Sequence, residues 1–235
     1  MKKALSLSAA TLALLVVGAT AISTASADSV KAEQWTSTGT IGFTANTTTP
    51  PDVTNPEVPG EPGPGGTAGA LAIDYASDLD FGTHEISASQ ATYYASAASK
   101  AFSKPVGAFV QMHDLRGLGT GNGTTLTVTQ LAQFTNGSKG LTGAALSFSS
   151  GAGVNADASG SYVPKSTASY TLTPGTAQEV MSTDGTVGQY LTSYGKAADY
   201  QGNEAGGPIS LSVPSGSAVA GNYTATLQWD LTTAP

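Results

Sequence analysis

The chain is 235 residues long with 9 basic against 16 acidic residues, a formal net charge of −7, no cysteine, and 11% charged residues, where about 25% is ordinary. The acidic balance excludes nucleic acid and anionic lipid as partners, because both need clustered Lys and Arg, and the absence of cysteine excludes thiol catalysis, disulfide staples and Cys-based zinc sites. Gly, Ser, Thr and Ala fill the space instead, a composition that favours turn-rich β-structure over amphipathic helices with a charged face.

Met1-Lys2-Lys3 is a short basic start, Ala4 to Ala21 is apolar and small, and Ala25-Ser26-Ala27 offers a small-residue cleavage site. This is the layout of a secretory signal peptide over residues 1–27. No second apolar run of membrane-spanning length follows, so no membrane span is expected after cleavage. A Leu-Pro-x-Thr-Gly sorting signal is missing near Pro235, so any attachment to a cell surface is expected to be non-covalent.

Residues 28–49 carry one patterned stretch. Ile41 and Phe43 alternate with Thr40, Gly42 and Thr44, with Trp35 upstream, which predicts a short strand, either an edge of the main domain or a segment that adds to a partner's sheet. Residues 50–66 change character: six of the twelve prolines fall between Pro50 and Pro64. That predicts an extended polyproline-like linker, reaching roughly 45 Å at full length.

From residue 67 to 235 strand signals recur at short intervals. Leu71–Tyr75, Val106–Met112, Leu126–Val128, Ala144–Phe148, Tyr170–Leu172 and Ile209–Val213 alternate apolar and polar residues. Turn chemistry such as Asn122-Gly123, Pro174-Gly175 and Asp184-Gly185 separates them. The last strand is the most regular: Tyr223, Ala225, Leu227, Trp229 and Leu231 alternate with Thr224, Thr226, Gln228 and Asp230, which places the two sets on opposite faces. The alanines of Ala88–Phe102 suggest one short helix. The expected fold is all-β, an antiparallel sandwich or barrel-like domain, with the N-terminal strand joined to it by the Pro-rich linker.

Little in the chain assembles into chemistry. His84 and His113 lie far apart without a second ligand at metal-site spacing, and Asp74, Asp78 and Asp80 supply too few oxygens for a calcium loop. Ser193-Tyr-Gly-Lys196 has the Ser-x-x-Lys spacing of penicillin-recognising enzymes but no Lys-Thr-Gly companion and a poor helix start at Gly195. Neither Gly63-Pro-Gly65 nor Gly117-Leu-Gly119-Thr-Gly121-Asn-Gly123 has the register of a phosphate-binding loop. No nucleophile, base and oxyanion site forms, so the chain is expected to be no enzyme and to need no cofactor or metal.

The ordered motifs resemble a known family. The end Tyr223-x-x-x-Leu227-x-Trp229-x-Leu231-x-x-Ala234-Pro235 is similar to the C-terminal signature of the WxL-domain proteins, surface proteins of low-GC Gram-positive bacteria. Leu79-Asp80-Phe81-Gly82, Val110-Gln-Met-His-Asp114-Leu-Arg116-Gly117, Leu126-Thr-Val128-Thr-Gln130, Leu141-Thr-Gly143-Ala-Ala-Leu146-Ser-Phe148, Leu172-Thr-Pro174-Gly175 and Leu211-Ser-Val213-Pro214 match in the family's order. The family usually carries two Trp-x-Leu motifs; here the first reads Thr124-Thr125-Leu126, with Thr124 in place of tryptophan. The resemblance implies a secreted cell-surface protein that binds the cell wall non-covalently, with peptidoglycan as ligand, or else an interaction subunit of a surface adhesion complex that holds other surface proteins. On this reading Trp229, Leu231, Tyr223, Leu227, Thr124 and Leu126 are the binding candidates. Trp229 is then either a core residue or an aromatic platform.

Overall fold

The computed structural model describes residues 35–58, 61–137, 139–157 and 160–233; the expected signal peptide lies outside them. The chain divides into two units, residues 1–41 and 42–235. In the first, residues 35–41 have no regular secondary structure and are exposed, Trp35 at 89%. No strand forms anywhere in residues 35–46, in contrast to the alternation that predicts one. A strand is stable only when a neighbour takes up its N–H and C=O groups, and among the described residues this stretch has no ladder partner.

Among its described residues the second unit is all-β, with one 3-10 turn at Ala197–Asp199. A strand pair, β1 (Asp52–Thr54) and β2 (Pro62–Gly65), precedes three four-stranded antiparallel sheets. One sheet has the order β3-β5-β12-β8, with β3 at Leu71–Ala76, β5 at Ala108–Asp114, β8 at Gly151–Asn155 and β12 at Gly188–Tyr194. The second has the order β10-β7-β13-β4, with β4 at Ala91–Tyr94, β7 at Ala145–Phe148, β10 at Tyr170–Thr171 and β13 at Ile209–Val213. The third has the order β14-β6-β11-β9, with β6 at Thr124–Gln130, β9 at Lys165–Ser166, β11 at Ala177–Ser182 and β14 at Leu227–Thr233. All three feed one core. Val110, Met112 and Tyr190 meet Leu126, Val128, Met181, Leu146 and Ile209 in it, as the inner faces of a sandwich do.

β5 is buried along its whole length, and the Pro-rich stretch explains why. Val110 and Met112 face the main core, while Phe109 joins Val53, Phe102, Val106 and Leu191 in a second cluster on the other face of the sheet. Residues 50–58 and 61–66 are therefore a folded cover and not the extended linker that their prolines suggest. Val53 is 1% exposed. Gln111 on β5 accepts from Thr54 N at 2.8 Å and donates to the Asp52 carbonyl at 3.2 Å. The Glu57 carboxylate accepts from the amides of Gly107 and Ala197 at 2.6 and 2.8 Å. Pro62 and Pro64 suit β2 because it has only one ladder neighbour, β1, so a missing N–H can face away from the pairing. Gly63 is required by contact: a Cβ there would stand 2.2 Å from the Val53 carbonyl oxygen.

The helix suggested for Ala88–Phe102 is a strand instead. β4 pairs with β13 in the register Tyr93↔Leu211, and Ala98 bridges Val106. β-propensity of the Thr-Tyr-Tyr run and an available neighbour outweigh the helical preference of alanine.

Candidate functional site

β6 and β14 bring the two Trp-x-Leu positions together. They pair antiparallel in an unbroken register: Leu231 lies opposite Leu126, Trp229 opposite Val128 and Thr233 opposite Thr124. Directly opposed residues share a face, so Thr124, Leu126, Trp229 and Leu231 all belong to the inner side of this sheet. The two motifs run in opposite directions, so their leucines pair and their first positions flank that pair, four residues or about 13 Å apart along the strand.

The two flanks differ in burial. Thr124 is 2% exposed and Leu126 fully buried, so neither presents surface to a ligand. Around Thr124 lies an ion pair: Arg116 grips Asp114 with Nε at 2.9 Å and Nη2 at 2.6 Å, and Nη2 also donates to Thr124 Oγ1 at 2.8 Å. The Asp114 carboxylate raises the guanidinium pKa further above its ordinary value. Where the resemblance implies an indole, this chain carries a hydroxyl that takes one of the guanidinium's donors.

Trp229 is half-buried on β14, which is an edge strand with β6 as its one neighbour. With Leu227 and Leu231 it packs against the main core, and with Leu227, Leu79, Ala108, Phe148 and Tyr194 it lines a small, partly open crevice of about 10 Å³. One side of the indole thus anchors the edge strand while the other stays at the surface.

Tyr223 lies in a different environment. With Thr224 and Ala225, just before β14, it lines an open groove of about 760 Å³. The β3–β4 connection (residues 79–87), strands β4 and β13, and the β13–β14 connection (residues 214–225) supply most of the lining. Its apolar surface comes from Phe81, Tyr93, Phe134, Leu141, Leu211 and Val213, and the side chains of Ile86 and Val219 stand 60% and 40% exposed within it. Asp80, His84 and Glu85 are the ionisable groups along it besides the tyrosines, with no Lys or Arg. His84 is held in place: its ring stacks on Tyr93 with centroids 3.9 Å apart, Nδ1 lies 2.9 Å from Glu204 Oε1, and Nε2 points at the Phe81 carbonyl.

The remaining sequence candidates for chemistry do structural work. His113 is fully buried on β5, with Nδ1 2.9 Å from Asp74 Oδ1 and Nε2 2.8 Å from the Gly69 carbonyl. Asp74 is taken up by that contact, Asp78 by Lys100 and Asp80 by the Gly82 amide. Among the described residues no group of three His, Cys, Asp or Glu is placed to hold a metal. Ser193 sits in strand β12, its hydroxyl donating to the Gly195 carbonyl at 2.9 Å, and Gly195 has φ +71°, so the Ser-x-x-Lys match has no helix to align it.

The groove is the feature that sequence reasoning missed. Its apolar residues are scattered between positions 79 and 225, and only Tyr223 among them was a candidate. The signal that was present is Ile86 and Val219, large apolar residues in loops that need none.

The described chain is thus an antiparallel sandwich with a half-buried tryptophan on an edge strand and an open, largely apolar groove. The model of the WxL domain, described as surface cell wall-binding, matches residues 30–235. The chain therefore belongs to the WxL-domain family, whose members act at the cell surface on the cell wall. No curated protein and no solved structure matches the chain.

Proposed function

We propose that the protein is secreted, by way of the signal peptide at residues 1–27, and is held non-covalently on peptidoglycan through the edge strand β14, with Trp229 as the main contact and Leu227 and Leu231 beside it. The observation that carries this reading is the half-burial of Trp229 on an edge strand. Its inner side is fixed by the core, and a pre-ordered aromatic loses little entropy when a glycan or stem peptide stacks on its outer side. The acidic surface fits a wall ligand better than it fits anionic polymers. Thr124 and Leu126 serve this surface indirectly, by holding β6 as the template for β14.

The test is co-sedimentation of wild type, Trp229→Phe and Trp229→Ala with purified sacculi, at a temperature where thermal melts find all three folded. Direct contact predicts graded loss, with Trp229→Ala in the supernatant. If folded Trp229→Ala pellets like wild type, the indole is a core residue only and the wall contact lies elsewhere. The interaction-subunit alternative predicts that pelleting disappears once other surface proteins are stripped from the wall.

A further inference from the structure

Two features of this chain complement each other. Residues 35–43 expose three large apolar side chains, Trp35 at 89%, Ile41 at 81% and Phe43 at 87%, at odd positions that an extended chain would turn to one side. The stretch from Trp35 to Pro51 contains no charged residue, so burying it would desolvate no ion. The groove between positions 79 and 225 is apolar, open and about 760 Å³ in volume. Two of its bounding segments, residues 83–87 and 218–222, belong to no strand and so have main-chain groups free of any sheet ladder. Exposed apolar surface on this scale marks an interaction site, and an extended segment that adds its backbone to another chain while its alternate side chains enter a groove is a general mode of recognition.

We propose that the groove receives residues 35–43 of a second copy of this protein. Every copy carries one such segment and one groove. The contact is therefore heterologous: it joins copies head to tail, and either closes in a reciprocal pair or grows into an open row. Residues 44–51 serve as the tether, reaching roughly 27 Å when extended. Pairing would complete the ladder that the alternation in residues 40–44 predicts and that a lone chain leaves unformed. The groove has no Lys or Arg to repel or orient, which suits an uncharged apolar segment better than an acidic one. This assembly is independent of wall binding, since Leu227, Trp229 and Leu231 do not line the groove.

The experiment uses the full secreted chain and two double variants. Ile41→Asp with Phe43→Asp disables the inserting segment at positions exposed enough to leave the fold alone. Ile86→Asp with Val219→Asp disables the groove at its two most exposed large side chains. Thermal melts confirm that both variants fold like wild type. Sedimentation velocity should find wild type in species whose mean mass rises with concentration, and each double variant as a monomer. Mixed in equal amounts, the two variants should form a one-to-one dimer and stop there, because only one intact segment and one intact groove remain. A monomeric wild type at every concentration overturns the proposal, as it would if the segment folded back on its own chain. So would a segment variant that assembles like wild type, or a mixture that stays monomeric.

Discussion

Leu126 faces Leu231 across the β6–β14 ladder, and that one pair explains how a signature split over a hundred residues of sequence becomes a single structural element. The leucines lock the register, and the first position of each motif is carried to opposite ends of the pair. At one end Trp229 closes the edge of the sandwich. At the other, Thr124 sits under the Asp114–Arg116 fork.

Trp229 should matter for stability as well as binding. Removing a half-buried indole from the core's edge should cost about 2–3 kcal/mol in Trp229→Ala, less than a fully buried one. That corresponds to roughly 4–12 °C in melting temperature for a domain of this size. Trp229→Phe should recover more than half. Differential scanning calorimetry on the three proteins checks the order; an unchanged Trp229→Ala melt would mean that the indole does not anchor β14.

Restoring the family's tryptophan should damage this protein. Thr124→Trp would be tolerated if both motif positions lined a shared groove, but Thr124 is 2% exposed and hydrogen-bonded to Arg116. Overpacking there should cost about 2–3 kcal/mol, while Thr124→Val, close in shape, should cost about 1 kcal/mol for the lost hydroxyl. Urea denaturation of both variants gives the comparison.

Arg116→Ala should destabilise more than a surface ion pair would suggest. The side chain of Asp114 is 2% exposed, so removing its partner leaves an uncompensated buried carboxylate, at a cost of about 3 kcal/mol. The companion Asp114→Asn with Arg116→Ala should be milder than Arg116→Ala alone. A double-mutant cycle read by chemical denaturation measures the coupling.

The Pro-rich stretch should behave as part of the folded body. Gly63→Ala brings a methyl to 2.2 Å from the Val53 carbonyl, so backbone must move, and about 1–3 kcal/mol should be lost. An extended linker would accept alanine with no effect on the melt, and would also be cut readily by protease, whereas Val53 and Asn55 are buried.

Alkaline pH should unfold the domain through its buried tyrosines. Burial pushes Tyr190 and Tyr200 up to about 12, against 10.0 for the free side chain, and Tyr194, hydrogen-bonded to Tyr170, is raised as well. A folded pKa above the unfolded one means that the native state holds protons which the unfolded state releases. The associated stability is complete below pH 10 and is lost as pH rises from 10 through about 12. Tyr200 also donates to the Tyr194 carbonyl and accepts from Ala108 N, so Tyr200→Phe should be less stable at neutral pH and have a shallower alkaline decline. Melting temperature against pH from 8 to 12 reads both.

The sequence made strands legible wherever one face is buried and the other wet. Leu126–Val128, Ile209–Val213 and the strand through Trp229 all show the alternation that a half-buried strand imposes. β12 escaped because it is covered on both faces: Tyr190, Leu191 and Tyr194 are buried alike, and its run of Gly, Gln, Thr and Ser reads as loop. The Pro-rich cover escaped for the opposite reason. Its prolines read as an extended tether, and only the pairing of β1 with β2 and their tertiary contact with Phe109 and Gln111 distinguish a lid from a linker. Of the site, the motif leucines and Trp229 were readable from local pattern, but the burial of Thr124 depends on Arg116 and Asp114, and the groove exists only where two remote loops meet.

The most direct test of the central claim is co-sedimentation of the secreted chain with sacculi freed of protein and accessory polymers, alongside intact walls. Saturable pelleting with the bare sacculi, comparable to that with intact walls, is the predicted result. A protein that pellets with intact walls but stays in the supernatant with bare peptidoglycan would contradict direct wall binding.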